Sequence, residues 1–248
     1  MRHARSRTVA TGKTQLSSGY RAPIRLVVFD LDGTLVDSRQ DLADAANRMV
    51  EAYGGRRLAV ETIAGMVGEG VSVLVGRVLQ SAGLAAGLEE AVTLFRALYD
   101  ERLLVHTRPY TGVPEMLAAI GTRLPLAVLT NKPDGPSRAV LAGLGLEGWF
   151  TRIVGGDGPW PRKPAPAGLL HLAQSAGVES AETLLVGDSV IDRQTARRAG
   201  ARVCLARYGF GFAAIPSHEL DGGEWIIDEP AALVHLVGGG EPVPAAGR

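Results

Sequence analysis

Residues 24–38, Ile24-Arg-Leu-Val-Val-Phe-Asp30-Leu-Asp32-Gly-Thr-Leu-Val-Asp37-Ser38, decide the fold. The run up to Phe29 is apolar but for Arg25 and closes on Asp30, the pattern of a strand buried in a parallel sheet whose carboxyl end opens onto a site. A second acid, Asp32, and then Gly33 follow at once, before the period changes from strand to helix. Ser38 with Asp41 makes a capping-box-like start. Leu42, Ala45, Ala46, Met49, Val50 and Tyr53 recur at helical spacing, which predicts about four turns of helix. Helical pattern continues over 60–67, 71–82 and 88–106 with no strand pattern between, so residues 38–107 read as an all-helical insert.

From Pro109 the two periods alternate. Strands are expected over 125–130, 152–156, 183–188, 201–206 and 224–228, and helices over 112–122, 136–146, 166–177 and 190–200. Such alternation builds an α/β fold, a doubly wound, Rossmann-like parallel sheet, here with a small all-helical cap domain inserted. The expected organisation is a core of 24–37 and 108–237, a cap of 38–107, a flexible basic tail over 1–23 and a flexible C-terminal tail over 238–248.

The 248 residues, 46% of them hydrophobic, suffice for one large core or two modest ones, and exclude a disordered chain. No apolar run approaches the roughly 20 residues that span a bilayer, and a single cysteine, Cys204, excludes a disulfide framework or a Cys-rich zinc site. Charges balance at 26 basic against 26 acidic residues, but the first 23 residues hold five bases and no acid. That leader lacks the apolar centre of an export signal and reads as an ordinary flexible tail, ahead of a transit peptide or an anionic-surface contact. Gly12-Lys13-Thr14 fails as a P-loop, because Arg7 stands where a glycine is needed and no strand precedes it.

Three expected strands end in polar residues, at Asp30, Thr130 and Asp188, and strand ends of a parallel sheet converge on the ligand crevice. Asp30, Asp32, Asp188 and Asp192 would repel one another there unless a cation joined them. Oxygen-only ligation points to Mg²⁺, and the absence of His and Cys from the cluster argues against zinc. Lys163, stiffened by Pro164 and Pro166, adds an ammonium; one ammonium and one Mg²⁺ match a phosphoryl group. Thr130 and Asn131 offer a hydroxyl, an amide and backbone N–H groups to phosphoryl oxygens, and Gly33 and Gly187 allow close approach of the backbone.

Four stretches, Asp30-Leu-Asp-Gly-Thr-Leu-Val-Asp-Ser38, Thr130-Asn-Lys-Pro133, Lys163-Pro-Ala-Pro166 and Gly187-Asp-Ser-Val-Ile-Asp192, resemble the ordered motifs of the haloacid dehalogenase superfamily. Within it the chain looks most like the phosphoglycolate phosphatases, through the position of the insert and through residues 67–79, 106–113 and 130–133. The resemblance implies a Mg²⁺-dependent phosphomonoesterase that hydrolyses a small phosphorylated metabolite, 2-phosphoglycolate first, through an aspartyl-phosphate. It implies Asp30 as nucleophile and Asp32 as general acid/base. Thr130, Asn131 and Lys163 would bind phosphate. The Asp30 side chain, the Asp32 carbonyl and Asp188 would hold the metal, with Asp192 supporting it through waters or orienting Lys163. The expected partner is a small phosphate ester, with no nucleic acid or membrane, for a cytoplasmic monomer or homodimer.

Plainer readings stand beside these. Asp30 and Asp32 taken singly suit a turn, and Asp188 with Ser189 a helix cap. Lys132 and Arg162 read as solvated, Asp37 and His106 as hinge residues, and Cys204 as a core residue. Gly68-Glu69-Gly70 reads as a turn between cap helices that touches substrate. Arg77 is the cap cation expected at a substrate carboxylate, with a solvated helix face as the alternative. A dehalogenase would lack Asp32; a sugar-phosphate mutase would keep it and differ in its cap; a non-catalytic binding module would lose an acid or Lys163.

Overall fold

A computed structural model describes residues 22–238, so the two expected tails lie almost wholly outside the described residues. The chain runs through β1 (Leu26–Phe29), β2 (Val36–Asp37), the helices α1 (Arg39–Ala52), α2 (Val60–Ala64), α3 (Val71–Ser81) and α4 (Leu88–Asp100), and β3 (Arg108–Pro109). It then passes through α5 (Val113–Gly121), β4 (Leu126–Leu129), α6 (Asp134–Gly143), β5 (Arg152–Val154), α7 (Ala167–Ser175) and β6 (Thr183–Gly187). The last elements are α8 (Val190–Ala199), β7 (Arg202–Ala206), β8 (Trp225–Ile227) and α9 (Ala231–Val237). No helix among the described residues is long and apolar enough to cross a membrane.

Six strands form one sheet in the order β5-β4-β1-β6-β7-β8, every neighbouring pair parallel. This is the doubly wound α/β fold that the alternation predicts. Strand order reverses beside β1, the position at which such sheets open a crevice. Phe29 lies level with Val128 and Val186, so Asp30, Thr130 and Asp188 emerge along one edge. The unbroken apolar character of β1 has a direct cause, since both its faces are covered. Val27 and Phe29 pack with Leu117 of α5, Leu141 of α6 and Leu233 of α9; Leu26 and Val28 pack with Leu169 of α7 and Ala196 of α8. Cys204 is fully buried in the first of these clusters, and burial pushes its thiol up.

The helices α1 to α4 build a separate apolar cluster from Leu42, Met49, Ile63, Leu74, Val78, Phe95 and Tyr99. Two chain segments join it to the sheet, and there β2 pairs antiparallel with β3. Two-residue strands carry no period, so the sequence does not announce them.

The capping box expected from Ser38 and Asp41 is absent. Ser38 forms no side-chain cap; its hydroxyl donates to Asp32 Oδ1 at 2.7 Å. The Asp41 carboxylate accepts instead from the returning chain, at Oδ2, from His106 N (2.9 Å), Thr107 N (2.7 Å) and Thr107 Oγ1 (2.8 Å). A buried carboxylate needs several donors at once, and the returning chain brings three. The helix expected to reach residue 106 accordingly ends at Asp100, with turns after it.

Candidate active site

Asp30 is buried where β1 ends, and Leu31 N donates to its Oδ1 at 2.7 Å. The same oxygen lies 2.9 Å from Lys163 Nζ, which also donates to Asp192 Oδ1 at 2.7 Å. The Lys163 side chain is 2% exposed. Burial works against its charge, but the two carboxylates outweigh burial and hold the ammonium charged. Burial pushes the Asp30 carboxyl up to about 6, with Lys163 opposing and Asp192 adding to the rise.

A capping box at the start of α8 orients Asp192: Ser189 Oγ accepts from Asp192 N while Asp192 Oδ2 accepts from Ser189 N at 3.1 Å. Both Asp192 oxygens are therefore engaged, one by Lys163 and one by Ser189. Asp188 is also buried; Gly211 N donates to its Oδ2 at 2.8 Å. Burial first, and then Asp192 and Asp30, raise its carboxyl well above the usual range. Close packing around these carboxylates demands glycine. A Cβ on Gly187 would overlap the Asp192 carboxylate, and one on Gly33, whose φ is +87°, would overlap that of Asp188.

Asp32 differs from the expectation in its company. Lys132, expected in solvent, is buried with its side chain 5% exposed, and its Nζ lies 3.2 Å from each Asp32 oxygen. It also donates to Tyr99 Oη of α4 at 2.6 Å. Burial depresses the Lys132 ammonium, yet Asp32 and Tyr99 carry it upward in sum; burial likewise pushes the Tyr99 hydroxyl up to about 12. Arg162 is exposed as expected, donating to Gly156 O at 2.7 Å.

A cavity of about 270 Å³ lies between this crevice and the helices. Asp30, Asp32, Thr130, Asn131 and Lys132 line one side, and Gly68, Gly70, Leu74, Phe95, Arg96 and Tyr99 the other. The Asn131 amide is spent on structure, donating to Gly68 O at 2.8 Å and Lys163 O at 2.9 Å, while its Oδ1 is buried without a partner. Thr130 Oγ1 accepts from Lys132 N at 3.2 Å. Arg77 does not line the cavity: its guanidinium is taken by Glu69 and by Met66 O. Arg96 does, and among the described residues it has no hydrogen-bond or ion-pair partner. Helical spacing alone would have marked the Phe95–Tyr99 face as buried; it carries no sign of what that face covers.

The donor set itself tests whether a metal fits. Oxygens of Asp30, Asp188 and Asp192 lie within 4.8 Å of one another, all buried. Three carboxylates face one ammonium, which leaves buried negative charge for a cation to offset, and oxygen donors suit a hard ion such as Mg²⁺. With Asp192 engaged elsewhere, Asp30 and Asp188 are the pair that could ligate it.

Buried carboxylates and a lysine where the strands of a doubly wound α/β sheet end, beside a cavity roofed by helices, define a candidate catalytic crevice. Comparison with known proteins then settles the family. Residues 27–206 match the family model of haloacid dehalogenase-like hydrolases, and the chain belongs to that family. It is similar to a phosphoglycolate phosphatase of Thiobacillus denitrificans, with 41% identity over 204 residues, 80% of this chain and 89% of the relative. A plasmid-borne phosphoglycolate phosphatase of Cupriavidus necator is 38% identical over 229 residues, 90% of this chain and 97% of the relative. A crystal structure of a predicted phosphoglycolate phosphatase from Haemophilus somnus superposes with a TM-score of 0.81 at 30% identity, covering 86% of this chain and 97% of that one.

Proposed function

We propose that the protein is a Mg²⁺-dependent phosphomonoesterase that hydrolyses a small phosphorylated metabolite, 2-phosphoglycolate first, to glycolate and phosphate. The observation that carries this reading is Lys163 seated between Asp30 and Asp192, with Asp30 itself lining a cavity of about 270 Å³, room for a small ester. The names and coverage of the relatives support the substrate. The expected place of work is the cytoplasm.

In this reading the Asp30 carboxylate attacks phosphorus in line as the bond to the alkoxide breaks, leaving an aspartyl-phosphate. Asp32 gives a proton to the departing alkoxide. Asp32 then takes a proton from the water that attacks phosphorus, and the bond to Asp30 breaks to release phosphate. Lys163 and the hydroxyl of Thr130 meet the charge on the transferring oxygens. Asn131 acts through its backbone and by holding the loops around it, since its amide is already committed. Mg²⁺ held by the Asp30 and Asp188 side chains and the Asp32 carbonyl would supply positive charge beside the phosphoryl group.

Residues 38–107 serve as the cap, which excludes bulk water and selects the substrate. Arg96 replaces Arg77 as the cation for the substrate carboxylate, because it lines the cavity and is free to bind. Gly68 and Gly70 bring the loop before α3 up to the substrate. Asp30→Asn is expected to abolish phosphate release from 2-phosphoglycolate in the presence of Mg²⁺. Retained turnover would overturn the mechanism.

A further inference from the structure

Lys132 joins three parts of the chain at one atom. Its Nζ contacts both oxygens of Asp32, 100 residues away, and the Tyr99 hydroxyl, 33 residues away, while lying 4.4 Å from the centre of the Tyr99 ring. Tyr99 sits in the last turn of α4 and stacks on Phe95 with ring centres 5.8 Å apart and planes at 13°, so its position is that of the helix. Ser38, between β2 and α1, supplies the remaining donor to Asp32.

We propose that Lys132 is a positioning residue for Asp32, and that Tyr99 keeps it there only while α4 covers the crevice. This rests on the reading of Asp32 as the general acid/base. An ammonium has three N–H donors and no acceptor; here they are shared between Asp32 and Tyr99. An Asp32 protonated on one oxygen still accepts on the other from Lys132 and Ser38, so the same contacts hold the side chain through both halves of the reaction. When α4 withdraws, the Tyr99 acceptor leaves, water reaches Lys132, and Asp32 loses one of its two anchors. The acid is then aligned over a covered substrate and slack over an open one, and alignment of a reacting group within fractions of an ångström governs rate.

The test compares two substrates with the full-length protein in Mg²⁺ under single turnover and reads release of the leaving group, because the later hydrolysis of the aspartyl-phosphate uses Asp32 whichever substrate was cleaved. The alkoxide leaving group of 2-phosphoglycolate needs a proton; the acetate of acetyl phosphate leaves as a stable anion without one. Lys132→Met is expected to lower the single-turnover rate of glycolate release from 2-phosphoglycolate about 100-fold, within the range that general acid catalysis contributes. The substrate concentration giving half the maximal rate should stay within about threefold, and the single-turnover rate of acetate release should fall less than about fivefold, since binding and attack are intact. Tyr99→Phe keeps the ring and its stack and should show the same selectivity at about tenfold, which decides the matter if Lys132→Met does not fold. Equal losses of the single-turnover release rate on both substrates, or weaker binding at an unchanged rate, would overturn the proposal. Asp32→Asn is the reference. If it is selective for 2-phosphoglycolate and the Lys132 and Tyr99 variants are not, the positioning role alone fails. If Asp32→Asn is itself unselective, the role of Asp32 fails and the proposal with it.

Discussion

Asp41 offers a clean measure of what joins helices α1 to α4 to the sheet. Its side chain is fully buried, and its Oδ2 accepts from Thr107 N at 2.7 Å, Thr107 Oγ1 at 2.8 Å and His106 N at 2.9 Å. Asp41→Ala removes all three acceptor contacts. The His106 amide adjoins a half-exposed residue and regains water, whereas both donors of the fully buried Thr107 are stranded. Two buried donors that lose a charged acceptor cost about 3–5 kcal/mol together. For a chain of this size that lowers Tm by roughly 6–20 °C. Asp41→Asn can place its carbonyl oxygen where Oδ2 stands and keep both Thr107 bonds, so its cost is about 1 kcal/mol. Urea unfolding and thermal melting of the three proteins check this. A helix-cap role would predict a loss of only about 1 kcal/mol for Asp41→Ala. A loss of that size, or an Asn variant as damaged as the Ala variant, would refute the hinge assignment.

Other outcomes follow from the same geometry. Arg96→Ala is expected to raise KM for 2-phosphoglycolate about tenfold or more, as loss of a charged contact of about 1.4 kcal/mol or more would, while Arg77→Ala, paired with Glu69 off the cavity wall, changes it little. Steady-state kinetics that rank the two the other way would return the carboxylate site to Arg77. The Asp30 carboxyl, raised by burial from 3.8 to about 6, binds its proton more tightly folded than unfolded. In metal-free protein its contribution is therefore full below the unfolded value and lost as pH rises through about 6, an effect of about 3 kcal/mol. Mg²⁺ favours the carboxylate, so the stabilisation by Mg²⁺ over EDTA in urea melts should widen across that window. A difference independent of pH there would contradict the assignment of Asp30 to the metal.

Much of the site is legible because its residues are local to strand ends. Asp30, Asp188 and Thr130 each follow an apolar run directly, and parallel pairing alone brings such ends to one edge. Asp192 lies within one helical turn of Ser189, so its capping box is also written in the spacing. Ser38 and Asp41 have a similar spacing, and there it misleads, because Asp41 has a stronger set of donors 65 and 66 residues further along the chain. Lys132 stands beside Asn131 in sequence, yet its burial depends on a tyrosine from α4 and an acid from the turn after β1.

Arg77 and Arg96 mark the limit most clearly. Each lies on an amphipathic helix of the insert, α3 or α4, and period 3.6 says which side of its own helix an arginine occupies. It does not say which neighbour that side meets. The sequence by itself determined the sheet, the helical insert and the acids at the strand ends, since those depend on periods and spacings within one element or turn. Tertiary structure decided that Arg96 lines the cavity, that Glu69 takes Arg77, and that Lys132 and Tyr99 meet over Asp32. Those contacts arise where separately coded helices pack across the crevice, and desolvation there selects partners that no local spacing specifies.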